Sequence, residues 1–200
     1  MTTTARTPQR ILGIDPGLNI TGYGLLEVTD RGPQVVAAGA IRSTSGASLV
    51  SRVRDIHHGL VQVIGEGRPT SVALEELYSH YARPKTAILM GHARGVICLA
   101  AAESDLPVAH YAATQIKKLL TGNGRAPKSQ MQLAIRHELS LKELPEPADV
   151  ADALAIALCH YHLGRRNALF AAAGASSRPS KSRPRVLDVS ALAALRRNTP

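Results

Sequence analysis

The chain has 200 residues and a formal net charge of +9, a length that suits one domain with a sizeable core and short tails. Aromatic residues are scarce (one Phe, five Tyr, no Trp), so Ala, Leu, Val and Ile must build that core. Cys98 and Cys159 stand far apart with no CxxC spacing. That excludes a cysteine-based zinc site and a disulfide framework, and it fits a reducing, cytoplasmic setting. The polar first nine residues do not read as a secretory leader, and no eighteen-residue apolar run is present to span a membrane.

The charge is unevenly placed. From Arg165 to Pro200 eight basic residues stand against one acid, Asp188, whereas the preceding 164 residues are close to neutral. Such a tail reads either as an electrostatic arm for a polyanion such as nucleic acid or as a solubilising disordered segment.

In chain order, Ile11-Leu-Gly-Ile-Asp15-Pro-Gly17 is a short apolar run that stops at an acid followed by turn formers. It predicts a buried strand that delivers Asp15 to the edge of a sheet. A carboxylate there is costly unless a cation, a proton or a basic ligand offsets it. Thr21–Val28 and Gln34–Ile41 read as two further strands joined through Asp30-Arg31-Gly32-Pro33, giving an antiparallel meander. Leu49, Val53, Ile56, Leu60 and Ile64 recur at helical spacing behind a cap at Ser45 or Ser48. Ser71-Val-Ala-Leu74 is a second apolar strand ending in acid, Glu75-Glu76. The strand–helix–strand crossover predicts parallel pairing with the first strand, which sets Asp15 beside that acid pair.

Pro84 to Ala102 is a helix apolar on more than one face. It asks for two packing partners, the sheet and a second surface, for which another subunit is an economical candidate. Gly91 and Gly95 would permit close helix approach there. Pro107–Tyr111 reads as a fifth strand, with helices over Thr114–Leu120, Pro127–Leu139 and Ala148–Arg165. Beyond Gly174 the Ser/Arg/Pro-rich sequence predicts disorder, with one short helix over Asp188–Arg197. His57, His58, His160 and His162 fall on helices as surface or hydrogen-bonded core residues; His80 and His92 have no assigned role.

The third acidic element is Asp149-Val-Ala-Asp152, placed by Pro147 in the first turn of a helix. The two acids are i and i+3, neighbours on one face, and the helix dipole favours Asp149. Three separate elements thus bring carboxylates towards one place, a cluster that repels itself without cations. Oxygen-only ligands select Mg²⁺ or Mn²⁺. Two such ions roughly 4 Å apart are a general device for in-line attack on a phosphodiester. A basic set accompanies the acids. Lys117 and Lys118 precede Thr121-Gly-Asn-Gly-Arg125, and Lys128 opens the next helix, together a phosphate-binding surface. Tyr78 and Tyr81, just past the second acid, read either as aromatics that stack on unpaired bases or as half-buried packing residues. Spacing alone leaves Glu75 and Glu76 as equal candidates.

These residues resemble a known family. Gly13-Ile-Asp-Pro-Gly-Leu-Asn-Ile-Thr-Gly-Tyr-Gly24, Ala73-Leu-Glu-Glu-Leu-Tyr78, Gly91-His-Ala-Arg-Gly95, Tyr111-Ala-Ala-Thr-Gln-Ile-Lys117, Lys128-Ser-Gln and Ala148–Ala157 are similar, in order and spacing, to the bacterial RuvC Holliday-junction resolvases. The resemblance runs from about Arg10 to Gly164. It implies an RNase H-like mixed five-stranded sheet flanked by helices, occupying residues 10–166; composition makes 1–9 a disordered segment and 167–200 a basic, disordered tail, which departs from the family pattern after Gly174. It further implies a homodimer that nicks two opposing strands of a four-way DNA junction, with Mg²⁺ or a substituting Mn²⁺, in recombination and repair. The acidic site it implies is Asp15, Glu75, Asp149 and Asp152. Lys117 and Lys128 match the family's DNA-contacting lysines, Tyr78 its junction-centre aromatic, and Lys118 and Arg125 extend the DNA-binding set. The RuvA–RuvB branch-migration machinery is the implied partner.

Two other readings compete. Asp15-Pro-Gly-Leu-Asn-Ile-Thr-Gly22 resembles the phosphate loop of actin-like and sugar-kinase ATPases, but those carry a second loop and a second lobe that this chain lacks. A catalytically silent DNA-binding module would bind junctions without cutting them.

Overall fold

The computed structural model describes residues 8–77, 84–144 and 146–173. Strands β1 (Arg10–Asp15), β2 (Ile20–Thr29), β3 (Gly32–Arg42), β4 (Ser71–Glu75) and β5 (Val108–Tyr111) form one sheet in the order β3-β2-β1-β4-β5. The first three are an antiparallel meander, and β4 and β5 extend it in parallel with β1. β1 is central because its apolar residues can be buried on both faces: Ile11, Leu12 and Ile14 are all almost fully enclosed. β2 and β3 are longer than their apolar cores suggest. Gly32 and Pro33 belong to β3, so the turn contracts to Asp30-Arg31, and Gly32 takes the positive φ of 114° that closes it.

The pleat sorts side chains between two cores. Leu12, Ile14, Leu25, Val72 and Leu74 face α1 (Leu49–Gly67) and α2 (Pro84–Glu103), meeting Ile56, Leu60, Ile64, Ala93, Ile97 and Ala100. Ile11, Leu26, Ala73 and Tyr111 face the other way, towards α3 (Ala113–Thr121), α4 (Lys128–Glu138) and α5 (Ala148–Ala173). Of the two candidate caps of α1, Ser48 is the one used, its side chain accepting from the Ser51 N–H. His160 makes two core hydrogen bonds, with Tyr111 Oη at 2.7 Å and Ser71 Oγ at 3.3 Å. His57 pairs with Glu103 and His162 with Glu138, whereas His58 and His92 are exposed.

α5 departs from its expected extent. It continues past Arg165 to Ala173, because Asn167-Ala-Leu-Phe-Ala-Ala-Ala173 holds good helix formers and neither Gly nor Pro until Gly174. Pro147 lies one residue before the helix rather than in it; its carbonyl accepts from the Val150 N–H. Internal contacts divide the chain into Met1–Asn167, which holds the sheet, the first four helices and α5 as far as Asn167, and Ala168–Pro200, whose described residues, 168–173, are helical. Among the described residues no helix is long and apolar enough to cross a membrane. Tyr78, His80, Tyr81 and the helix expected over Asp188–Arg197 lie outside the described residues.

Candidate active site

β1 and β4 run in parallel with Ile14 opposite Leu74, so the next residue on each, Asp15 and Glu75, end the two strands side by side. Alternation decides where they point. Ile14 and Leu74 face α1 and α2, and their successors therefore face α5. The same alternation separates the two glutamates. Glu75 lies on the α5 side of the sheet edge, whereas Glu76 follows with the opposite sense, is exposed, and gives its N–H to the Tyr111 carbonyl.

α5 can reach this edge because three glycines leave it room. A methyl group on Gly13 would come 2.2 Å from the Ala153 carbonyl oxygen, one on Gly22 2.1 Å from that of Asp149, and one on Gly24 2.6 Å from Leu154. Helix and sheet are thus in backbone contact where the helix starts, and that contact sets Asp149 and Asp152 over the ends of β1 and β4. The sequence reading missed this function of the glycines. Its signal was visible: Gly13, Gly22 and Gly24 occupy strand interiors, where glycine weakens a sheet unless another backbone approaches.

The electrostatics follow from the crowding. The Asp15 carboxyl is pushed up to about 7, first by burial and then by the charges of Glu75, Asp152 and Asp149, with Lys128 pulling in the opposite sense. Glu75 is raised as well, by burial and by Asp152, against the opposing Lys117 and Arg94. Asp15 thus feels the other three acids, and Glu75 feels Asp152. Among the described residues, however, no three Asp, Glu, His or Cys side chains stand close enough together to hold an ion. Mutual repulsion favours such an open set until a cation is present, and one carboxylate is already engaged, with Lys128 Nζ 3.1 Å from Asp152 Oδ2. The donors are all carboxylate oxygens, the set that suits a hard divalent ion.

A half-open cleft of about 240 Å³ adjoins Glu75 and Asp152. Lys117 and Lys128 line it, and Ile116, Met131, Ala155 and Ile156 give it an apolar floor. The basic set divides here. Lys118 and Arg125 line a different hollow, with Thr114, Gly122, Asn123 and Gly124, beside the end of α3. One cation without an assigned role from sequence belongs to the site: Arg94 of α2 acts on Glu75, and its Nη2 lies 3.0 Å from His110 Nδ1 while its Nη1 is buried without a partner. Its signal was a lone arginine amid an apolar helix.

Comparison with known proteins identifies the family and the fold. The family model described as crossover junction endodeoxyribonuclease RuvC matches residues 11–160. The RuvC crossover junction endodeoxyribonuclease of Rhodopirellula baltica is 57% identical over 76% of this chain and 86% of its own length. That of Heliobacterium modesticaldum is 47% identical over 76% and 93%. Among solved structures, Thermus thermophilus RuvC in complex with Holliday junction substrate superposes with a TM-score of 0.75 at 34% identity, covering 80% of this chain and 96% of that one. The yeast mitochondrial resolvase Ydc2 shares the fold at 12% identity, with a TM-score of 0.62. With its mixed sheet, its acid-tipped parallel strands and α5 laid across them, the chain belongs to the RuvC family and has that family's RNase H-like fold.

Proposed function

We propose that this protein resolves four-way DNA junctions with Asp15, Glu75, Asp149 and Asp152 as its catalytic, metal-binding carboxylates. Family membership gives the class of activity: a divalent-metal-dependent endodeoxyribonuclease acting on Holliday junctions in recombination and repair. The observation that carries the residue assignment is the convergence of acids from β1, β4 and α5, which leaves Asp15 with a carboxyl pushed up to about 7. Such a group is half-charged at neutral pH and gains most from a nearby cation.

Two Mg²⁺ ions per subunit, with Mn²⁺ as a substitute, would supply the Lewis acidity needed for water to attack phosphorus and for the sugar oxygen to leave. The protein's part is to hold charge and substrate. The four carboxylates collect the cations at a sheet edge that is buried beneath and open above. Lys117 and Lys128 meet the phosphate in the cleft, while Lys118 and Arg125 grip the backbone beyond it. The apolar floor of Ile116, Met131 and Ile156 keeps water from one side and strengthens the fields inside. Tyr78 would stack on a base at the junction centre.

Two opposing strands need two sites, which a homodimer supplies. α2 offers the surface, because Ile88 and Leu99 are 62% and 49% exposed on it. In this reading residues 1–9 and the basic tail 167–200 flank a nuclease domain of residues 10–166, RuvA–RuvB is the partner machinery, and the enzyme works on chromosomal DNA in the cytoplasm. The experiment is direct. A synthetic four-way junction and a matched linear duplex are incubated with the protein in Mg²⁺ and in Mn²⁺. Paired, ligatable nicks on the junction alone are expected, and none from Asp15→Asn although it still binds the junction. Full cleavage by that variant would overturn the assignment, and binding without cleavage by the wild type would point to the silent module.

A further inference from the structure

The ion pair inside the cleft has a consequence for the order of binding. Lys128 opens α4 and Asp152 lies in the second turn of α5, and their side chains meet at 3.1 Å. Both are about half-exposed, at 55% and 42%. Lys117, in the same cleft, makes no ion pair among the described residues. Lys128 therefore does two incompatible things. It neutralises one of the four carboxylates, and it stands where a phosphate is to be met. An ammonium is a donor only and cannot share in coordinating a cation. While it sits on Asp152 Oδ2 it occupies one ligand position and repels any divalent ion approaching the others.

We propose that Lys128 is an exchangeable counter-ion for Asp152: it holds that carboxylate in the DNA-free protein, and a backbone phosphate of the junction draws it away, which frees Asp152 for the metal. The inference rests on the assignment of Asp152 as a metal ligand and of Lys128 as a phosphate contact. The exchange is easy because an exposed ion pair is weak and the lysine trades one anionic oxygen for another. By linkage, DNA and metal then tighten each other's binding by the same factor. The carboxylate set is completed when substrate is seated rather than before.

Metal binding without DNA tests this. Mn²⁺ is titrated into the full chain and the free ion is followed by electron paramagnetic resonance, for the wild type and for Lys128→Met, Lys128→Arg, Lys117→Met and Asp152→Asn. Removing the competition of one exposed pair corresponds to about two- to fivefold tighter binding. Lys128→Met should gain that factor, Lys128→Arg should stay at the wild-type value because the pair is kept, and Lys117→Met should gain less. Unchanged or weaker binding in Lys128→Met overturns the proposal. Equal gains for Lys117→Met and Lys128→Met also overturn it, since they would reveal only the general field of the cleft. If Asp152→Asn binds Mn²⁺ as well as the wild type, the assignment of Asp152 itself fails and the exchange falls with it. Thermal melts and Lys128→Arg separate these outcomes from misfolding.

Discussion

Gly22 on β2 lies against the backbone of Asp149 on α5: a methyl group at Gly22 would come 2.1 Å from the Asp149 carbonyl oxygen and 3.0 Å from its Cβ. Gly22 is also the residue paired with Asp15 across the sheet. One missing side chain therefore sets the separation between two of the four acids, and the closeness of helix and strand is part of the site's construction.

Gly22→Ala should accordingly act on both stability and activity. The clash is with backbone, which cannot rotate away, so α5 must lift. Overpacking of this kind costs about 1–3 kcal/mol, and a displaced Asp149 should abolish junction cleavage while leaving junction affinity largely intact. Gly65→Ala in α1 is the control, because nothing lies within 4 Å of its added methyl. It should stabilise the helix by about 0.5–1 kcal/mol with cleavage unchanged. Urea titrations and a nicking assay read both effects; normal cleavage by Gly22→Ala would mean that the acids do not depend on this close approach.

Much of this construction was legible in the sequence. The apolar runs ending at Asp15 and Glu75 foretold adjacent parallel strands, because a crossover through an amphipathic helix leaves few other topologies. What spacing could not supply was the choice between Glu75 and Glu76. That depends on pleat phase, which is fixed only when Ile14 is seen opposite Leu74. Arg94 escaped for a related reason. Its relation to Glu75 and His110 is between elements far apart in sequence, and no local pattern encodes it. The division of Lys117 and Lys128 from Lys118 and Arg125 likewise arises from the turn of α3, which sends adjacent lysines into different hollows.

That division predicts different kinetic phenotypes. Lys117→Ala and Lys128→Ala remove charge from the cleft beside the carboxylates, whereas Lys118→Ala and Arg125→Ala remove it from the neighbouring hollow. Deleting one phosphate-binding cation should reduce the slope of log affinity against log salt by about 0.9. The two cleft variants should also turn over bound junction more slowly, and the outer two should weaken affinity alone. Fluorescence anisotropy across a salt series, with single-turnover cleavage beside it, separates the groups. An unchanged salt slope for all four would remove this surface from the DNA path.

α2 makes a prediction about assembly. Ile88, His92, Gly95 and Leu99 fall on one stripe of the helix, and Ile88 and Leu99 are exposed. Leu99→Lys would place an ammonium in the apolar contact of a dimer built on that stripe, and an unpaired buried charge costs several kcal/mol. Sedimentation should show the wild type as a dimer and Leu99→Lys as a monomer at micromolar concentration, with the fold retained by circular dichroism. Paired nicking should fall with dimerisation. A wild type that sediments as a monomer would refute the homodimer.

The strain at Asp15 should be measurable as stability against pH. Its carboxyl has an ordinary value of 3.8 and is pushed up to about 7 in the fold. Between those values the folded chain keeps a proton that the unfolded chain has released. Stability due to this group is therefore full below pH 4, falls as pH rises towards 7, and is lost above it. A shift of this size corresponds to about 2–4 kcal/mol, allowing for solvent that reaches the sheet edge. Asp15→Asn has nearly the same shape and no charge to release. In metal-free buffer at pH 8 it should melt about 5–15 °C above the wild type, and the two curves should converge as pH approaches 4. Mg²⁺ should reverse the order of benefit, raising the wild-type melting temperature at pH 8 more than that of Asp15→Asn, because a cation that binds only the folded, charged site stabilises it by mass action. If Asp15→Asn melts at or below the wild type in metal-free buffer at pH 8, burial and the neighbouring carboxylates do not strain Asp15, and the site needs no cation to hold its acids together.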